Sequence, residues 1–261
     1  MPTMAGLCPS ANFSKSKECI HGTIMPSQTK RQMIDRFYLR GCSGTRTIAS
    51  LHLELEAYLR MQMGTPEFYV EGHAPYAHLE SWLESAESLP RTPRHVCEVG
   101  FNAGHSAIAW LCAIPNATLT SFDIGHERYT EHARKFVRQL FGDRFIFVRG
   151  NSTITLRSSA MHRMKRSSSC DVVSIDGGHD FETAKADILH LSALVSHSHK
   201  LIMDDLRCPA AHCVGPTRAW DWSRQQGLVE SDGCSIVGPN VGACTGRFMT
   251  HTRITRSLTR R

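Results

Sequence analysis

The stretch HVCEVGFNAGHS, His95 to Ser106, decides how the rest of the chain is read. His95–Val99 is a short apolar run suited to a buried strand. Gly100 and Gly104 then let the backbone turn tightly, and an apolar helix runs from Ser106 to Ile114 until Pro115 and Asn116 end it. Downstream the same alternation repeats. Ala117–Ile124 reads as a strand and His126–Phe141 as an amphipathic helix. Phe145–Val148 and the weak helix Ser152–Met164 follow, then Asp171–Ile175 with Phe181–Val195, and Lys200–Met203 with Thr217–Gln226. Two closing strand candidates lie near Ser235–Val237 and Arg247–Ile254. The pattern predicts an α/β fold: a doubly wound, mostly parallel, seven-stranded sheet with helices on both faces.

Upstream, Ile48, Leu51, Leu55, Tyr58 and Leu59 recur at helical intervals until Gly64 and Pro66 stop them. Leu79, Trp82, Leu83 and Ala86 form a second stripe. Residues 1–46 are rich in Ser, Thr, Lys and Arg and read as a disordered tail, with an organellar transit segment as the alternative. They lack the apolar core of a secretory signal. The expected organisation is a tail over 1–46, a helical cap over 47–90, a ligand-binding α/β domain over 91–255 and a basic tail over 256–261.

Of the 261 residues, 41% are apolar and 21% charged, which excludes a collagenous, coiled-coil or wholly disordered chain. No run approaches the roughly 18 apolar residues of a membrane span. The net charge of +6 sits at the ends: residues 1–50 carry +5 and residues 233–261 another +5, leaving 51–232 at −4. Basic ends either attract polyanions weakly or are solvated tails, and the acidic middle makes nucleic acid an unexpected partner. The 10 cysteines are irregularly spaced, without a Cys-x-x-Cys. That pattern signals neither a zinc ribbon nor a redox dithiol, and reduced thiols in a cytoplasmic protein are the expectation. Cys208, His212 and Cys213 could bind a soft metal, coincidence being the plainer reading.

In doubly wound sheets ligands sit beyond the carboxyl ends of the strands. The first strand ends at Glu98, Gly100, Asn102, Gly104 and Ser106, where Asn102 replaces the middle glycine of a dinucleotide fingerprint and Glu98 would repel a pyrophosphate but suit a cationic ligand. The second ends at Asp123, placed either to accept ribose hydroxyls or to stabilise a helix N-terminus. The third ends at Asn151 and Ser152, suited to an adenine edge or to a helix cap. The fourth ends in Asp176-Gly-Gly-His179-Asp180 and the fifth in Asp204-Asp205. Three carboxylates at buried strand ends suit a hard cation such as Mg²⁺; alternatively one of the pair caps a loop or joins Arg207.

Together, CEVGFNAGHSA, SFDIG, VRGNS, VVSIDGGHDFETAKADI and LIMDDL resemble class I S-adenosylmethionine-dependent methyltransferases over about residues 47–255. The step from Asp176 to His179 and the later acidic pair resemble the small-molecule O-methyltransferases of the macrocin type and, more loosely, the catechol type. The resemblance implies a Rossmann-like methyltransferase fold and S-adenosyl-L-methionine as cofactor. It assigns Glu98 and the Gly100–Gly104 loop, with Asn102 and Ser106, to the methionine part, Asp123 to the ribose, and Asn151 with Ser152 to the adenine. Asp176, Asp204 and Asp205 match positions that hold a divalent ion, and His179 with Asp176 the catalytic step. Deprotonation of a hydroxyl as it attacks the sulfonium methyl is the implied chemistry.

Two departures bear on the metal: Ser196-His-Ser-His199 replaces a Pro-Gly-Gly-like turn, and the 207–216 loop carries two Cys and a His. The lack of an Asn/Asp-Pro-Pro-Tyr/Phe segment after the fourth strand argues for a small-molecule acceptor over a nucleic-acid base. Competing readings are a nucleic-acid-associated protein using the basic ends, a nicotinamide-dependent oxidoreductase, and a catalytically silent protein of the same fold. Tyr58, Phe68, Tyr69, Tyr76, Trp82, Trp220 and Trp222 either line a ring-bearing acceptor or pack the core.

Overall fold

The computed structural model describes residues 23–24, 26–42, 44–65, 68, 70, 74–157, 169–238 and 241–249. The order is β1 (Thr23–Ile24), α1 (Ser27–Leu39), α2 (Ile48–Met63), α3 (Tyr76–Glu87), β2 (His95–Val99), α4 (His105–Ala113), β3 (Thr118–Asp123), α5 (Thr130–Phe141), β4 (Phe145–Arg149), α6 (Ser152–Thr155), β5 (Cys170–Ile175), α7 (Phe181–Ser192), β6 (Val195–Met203), α8 (Val214–Gln225), β7 (Val229–Gly238) and β8 (Val241–Phe248).

The strands form one sheet in the order β1-β7-β8-β6-β5-β2-β3-β4. Strands β4, β3, β2, β5 and β6 run parallel, and β8 lies antiparallel between β6 and β7. The seven-stranded, mostly parallel expectation is met, with the two-residue β1 added beside β7. The chain winds from β2 outward to β4, then returns to β5 on the other side of β2. The order therefore reverses between β2 and β5, which is where such sheets open a ligand crevice.

Each face of the sheet carries its own core. One gathers α2, α3, α4 and α5 around Trp82, Trp110, Phe101 and Phe145. The other gathers α7 and α8 around Trp220, Ile188, Leu191 and Leu201. Trp82 and Trp220, two of the aromatics considered for an acceptor pocket, are thus core residues. Tyr58 packs on Phe136 and Tyr76 stacks on Phe37, while Tyr69 lies outside the described residues.

Local chemistry sets the element ends. Thr47 and Ser50 form a reciprocal capping box at the start of α2, with Thr47 Oγ1 accepting the Ser50 amide at 3.1 Å, and Gly64 closes the helix at φ +69°. Asp180 accepts the Thr183 amide at 2.9 Å and starts α7, which leaves His179 immediately outside the helix.

Several expectations are corrected. The stretch 1–46, expected to be a tail, contains the 13-residue helix α1. Its Phe37 is wholly buried, worth about 2 kcal/mol of transfer free energy. Arg40 pairs with Glu80 at 2.5 Å and with Glu87 at 2.6 Å, and Arg36 pairs with Glu84, so basic charge near the N-terminus is met by acids of α3. β6 begins five residues earlier than Lys200, because Ser196–His199 continues the strand. The helix expected over Ser152–Met164 is described only as far as its first turn, since 158–168 lie outside the described residues, as do 250–261.

The cysteines among the described residues are paired, against the expectation of reduced thiols. Eight form four disulfides: Cys42–Cys112, Cys97–Cys170, Cys208–Cys213 and Cys234–Cys244. The first two join residues 70 and 73 positions apart, so only the fold brings them together. Among the described residues no helix is long and apolar enough to cross a membrane.

Candidate functional site

A cleft of about 650 Å³ opens at the carboxyl ends of β2, β3, β4 and β5, lined among others by Asn102, Asp123, Tyr129, Asn151, Asp176 and His179. Its position follows from the reversal of strand order between β2 and β5.

The loop after β2 is fixed by its neighbours. Gly100 has φ +96°, and a Cβ there would stand 1.7 Å from the Asp176 carbonyl oxygen. The close approach that requires glycine is therefore to the end of β5. Asn102 also adopts a left-handed conformation, at φ +50°, and its Oδ1 accepts the Tyr129 hydroxyl at 2.6 Å. Asp123 holds the loop from the side. Its Oδ2 accepts the amides of Phe101 and Asn102 at 2.8 and 2.9 Å, and its Oδ1 accepts the Gly125 amide at 2.6 Å.

Glu98 does not line the cleft. It is buried beneath the loop and accepts the hydroxyls of Ser106 and Ser121 at 2.5 and 2.6 Å. Burial pushes its carboxyl up to about 7, against the pull of those two hydrogen bonds. The assignment of Glu98 to the methionine part is therefore corrected: it ties β2, β3 and α4 together. Gly104 turns away as well, and a Cβ there would meet the Phe101 ring at 2.8 Å. Ser106 borders a small adjoining cavity with Gly100, Asn102 and Asp176.

At the end of β4, Asn151 Oδ1 accepts the Thr153 amide at 2.9 Å and caps α6, while remaining on the cleft wall with Ser152. Behind Ser152 lies Asp187 of α7, wholly buried, its carboxyl pushed up to about 7 by burial and held back in part by Ser152. Asp187 escaped the sequence reading. An acid directly before Ile188 on an otherwise apolar stripe was the signal available.

The acidic strand ends do not assemble as expected. Burial first, then the charges of Asp204 and Asp205, push the Asp176 carboxyl well above the ordinary carboxylate range. Asp204 is raised likewise, by burial and then Asp205. Its Oδ1 faces His78 Nδ1 at 3.5 Å, and burial drives that imidazole down to about 4. Asp205 turns the other way, with φ +57°. Its Oδ2 lies 2.8 Å from His179 Nε2 and its Oδ1 3.4 Å from His212 Nε2. Arg207, weighed as a partner for these acids, instead forks onto Asp221.

A shared divalent ion needs its oxygens on one small sphere. Among the described residues, the triads with ligand atoms all within 4.8 Å of one another are His95–Cys97–Cys170 and Cys208–His212–Cys213. Asp176, Asp204 and Asp205 are not such a set, and they do not fit a common Mg²⁺ in this arrangement.

His179 is about half exposed on the cleft wall, and its imidazole is raised above the usual 6.5 chiefly by the hydrogen bond to Asp205. With Nε2–H donated to Asp205, Nδ1 carries the lone pair. The site thus joins a loop-bounded crevice to one base oriented by a carboxylate. His212 was weighed in the sequence only as a partner of cysteines; its approach to Asp205 is a tertiary feature.

Comparisons with known proteins agree with this fold. Residues 97–206 match the family model described as a methyltransferase domain. No curated protein sequence matches the chain. Among solved structures it is similar to the SAH-bound methyltransferase PaMTH1 of Podospora anserina (16% identity, 88% of this chain and 100% of that one, TM-score 0.58). It is also similar to the SAM complex of the O-methyltransferase TomG of Streptomyces achromogenes, involved in tomaymycin synthesis (14%, 87% and 100%, TM-score 0.57). An O-methyltransferase of Bacillus cereus in complex with SAH aligns comparably (14%, 84% and 99%, TM-score 0.58). At these identities the likeness establishes the fold.

Proposed function

We propose, from the match of residues 97–206 to a methyltransferase-domain model and from the fold, that the chain transfers the methyl group of S-adenosylmethionine to a hydroxyl of a small molecule. The observation that carries this reading is a single cleft lined by both Asp123 and His179, at the reversal of strand order. When bound, S-adenosylmethionine supplies an electrophilic methyl on a sulfonium.

The chain's own residues do the rest. Asp123 keeps the Gly100–Asn102 loop in place through its backbone amides and faces the cleft, where the one lone-pair site of Oδ1 not taken by an amide suits a ribose hydroxyl. Asn151 and Ser152 form the wall suited to the adenine edge. Gly100 and Asn102 leave room for the methionine part. His179 takes the acceptor proton at Nδ1, and Asp205 stabilises the imidazolium that forms. In-line placement of acceptor oxygen, methyl carbon and sulfur supplies much of the acceleration. No step is assigned to a divalent ion, because Asp176, Asp204 and Asp205, although close enough for their charges to interact, do not form one compact ligand cluster.

The test is calorimetry of the full chain with S-adenosylhomocysteine. Binding is expected, and Asp123→Asn should weaken it at least tenfold. Because Asp123 also anchors three backbone amides, a thermal melt of the variant must accompany the titration. A folded protein that gives no heat with either the cofactor or its demethylated product sinks the proposal.

A further inference from the structure

We propose that the Cys208–Cys213 segment is a redox-gated site for a zinc-class divalent cation, formed by Cys208, His212, Cys213 and Asp205 once the disulfide is reduced. Three of the four ligand atoms are already gathered, while the Asp205 oxygen reaches His212 but stands outside that triad and has to close on the sulfurs. Both sulfurs and His212 Nε2 lie within 4.8 Å of one another. Cys208 Sγ stands 3.8 Å from His212 Nε2, and Asp205 Oδ1 stands 3.4 Å from the same nitrogen. In a tetrahedral zinc site with Zn–S about 2.3 Å and Zn–N or Zn–O about 2.0–2.1 Å, the sulfur–nitrogen edge is about 3.6 Å and the nitrogen–oxygen edge about 3.3 Å. Two edges of the polyhedron are therefore nearly in place. The sulfur–sulfur edge has to open from a covalent bond to about 3.8 Å.

The surroundings favour thiolates there. Cys213 is wholly buried and sits at the N-cap of the 12-residue helix α8, where the positive end of the helix dipole favours negative charge. Cys208 and His212 are half-buried, leaving a path for the ion. Two soft sulfurs, one imidazole and one carboxylate select zinc-class ions over Mg²⁺ or Ca²⁺.

The redox step is a thiol–disulfide exchange. A dithiol reductant gives up two electrons and two protons and becomes a disulfide, while Cys208–Cys213 becomes two thiols. Cation binding then releases the thiol protons to solvent. Since Asp205 also holds His179 through its other oxygen, the cation and the candidate base share one carboxylate.

The experiment uses the full chain, oxidised or treated with a dithiol that is then removed anaerobically, and titrated with Co²⁺. The reduced protein should bind one equivalent with a sulfur-to-cobalt charge-transfer band that Zn²⁺ abolishes, and the oxidised protein should show no such band. Cys208→Ser combined with Cys213→Ser should remove the band, which separates this site from the His95–Cys97–Cys170 cluster. His212→Ala leaves the disulfide intact and should weaken binding at least tenfold while keeping thiolate character. A band that survives in the double serine variant overturns the proposal. So do a reduced protein without a band, and alkylation mapping that finds positions 208 and 213 still joined after reduction.

Discussion

Asp205 presents one carboxylate oxygen to each of two imidazoles, Oδ2 to His179 at 2.8 Å and Oδ1 to His212 at 3.4 Å. His179 owes its raised pKa first to this hydrogen bond. Asp205→Asn keeps the shape and removes the charge, so the His179 ring should titrate at lower pH than in the parent protein. Proton NMR of the ring follows this directly; an unmoved titration would mean that Asp205 does not orient the base. Methyl transfer should rise with pH through the parent's raised His179 pKa, because only the neutral ring accepts a proton.

Gly100 and the Asp176 carbonyl leave no space for a side chain between β2 and β5. Gly100→Ala should cost about 3 kcal/mol or more, combining a left-handed φ with a backbone collision. Denaturant unfolding measures the loss. A variant as stable as the parent would show that the loop lies elsewhere.

Glu98 carries a prediction about pH. Its carboxyl is at about 7 in the fold against an ordinary 4.5, so the folded state favours the neutral form. The stability this contributes is fully present below about 4.5 and is lost as pH rises through about 7, a change of roughly 3 kcal/mol. Glu98→Gln should therefore stabilise the protein at pH 8 and gain little at pH 5. Melting temperatures at the two values decide it, and equal gains at both would contradict the burial argument.

The Cys42–Cys112 disulfide closes a separation of 70 residues and ties the chain after α1 to α4. Replacing both cysteines with serine should destabilise the protein by about 2–4 kcal/mol. A parent protein whose melt is indifferent to mild reductant would argue that none of the long-range disulfides forms.

The sheet was legible because its signals are local. Buried strands declare themselves by short apolar runs, amphipathic helices by their period, and turns by glycine and proline, so β2 through α8 could be placed from neighbouring residues alone. The same locality exposed Asp123, Asn151, Asp176 and His179 as strand-end residues, which is why they meet in one cleft. α1 is hard to read because only Met33, Ile34 and Phe37 of its apolar side chains pack inward, and its ion-pair partners lie 40 or more residues away on α3.

By itself, then, the sequence determined the strand–helix order, the end of the sheet at which the cleft opens and the residue types waiting there. It could not determine which of those side chains face outward. Whether Glu98 meets a ligand or two serines, whether three aspartates share an ion or separate, and which cysteines pair all depend on positions set by distant segments. Those answers came from tertiary structure, because burial and side-chain direction at a strand end are fixed by what packs behind it.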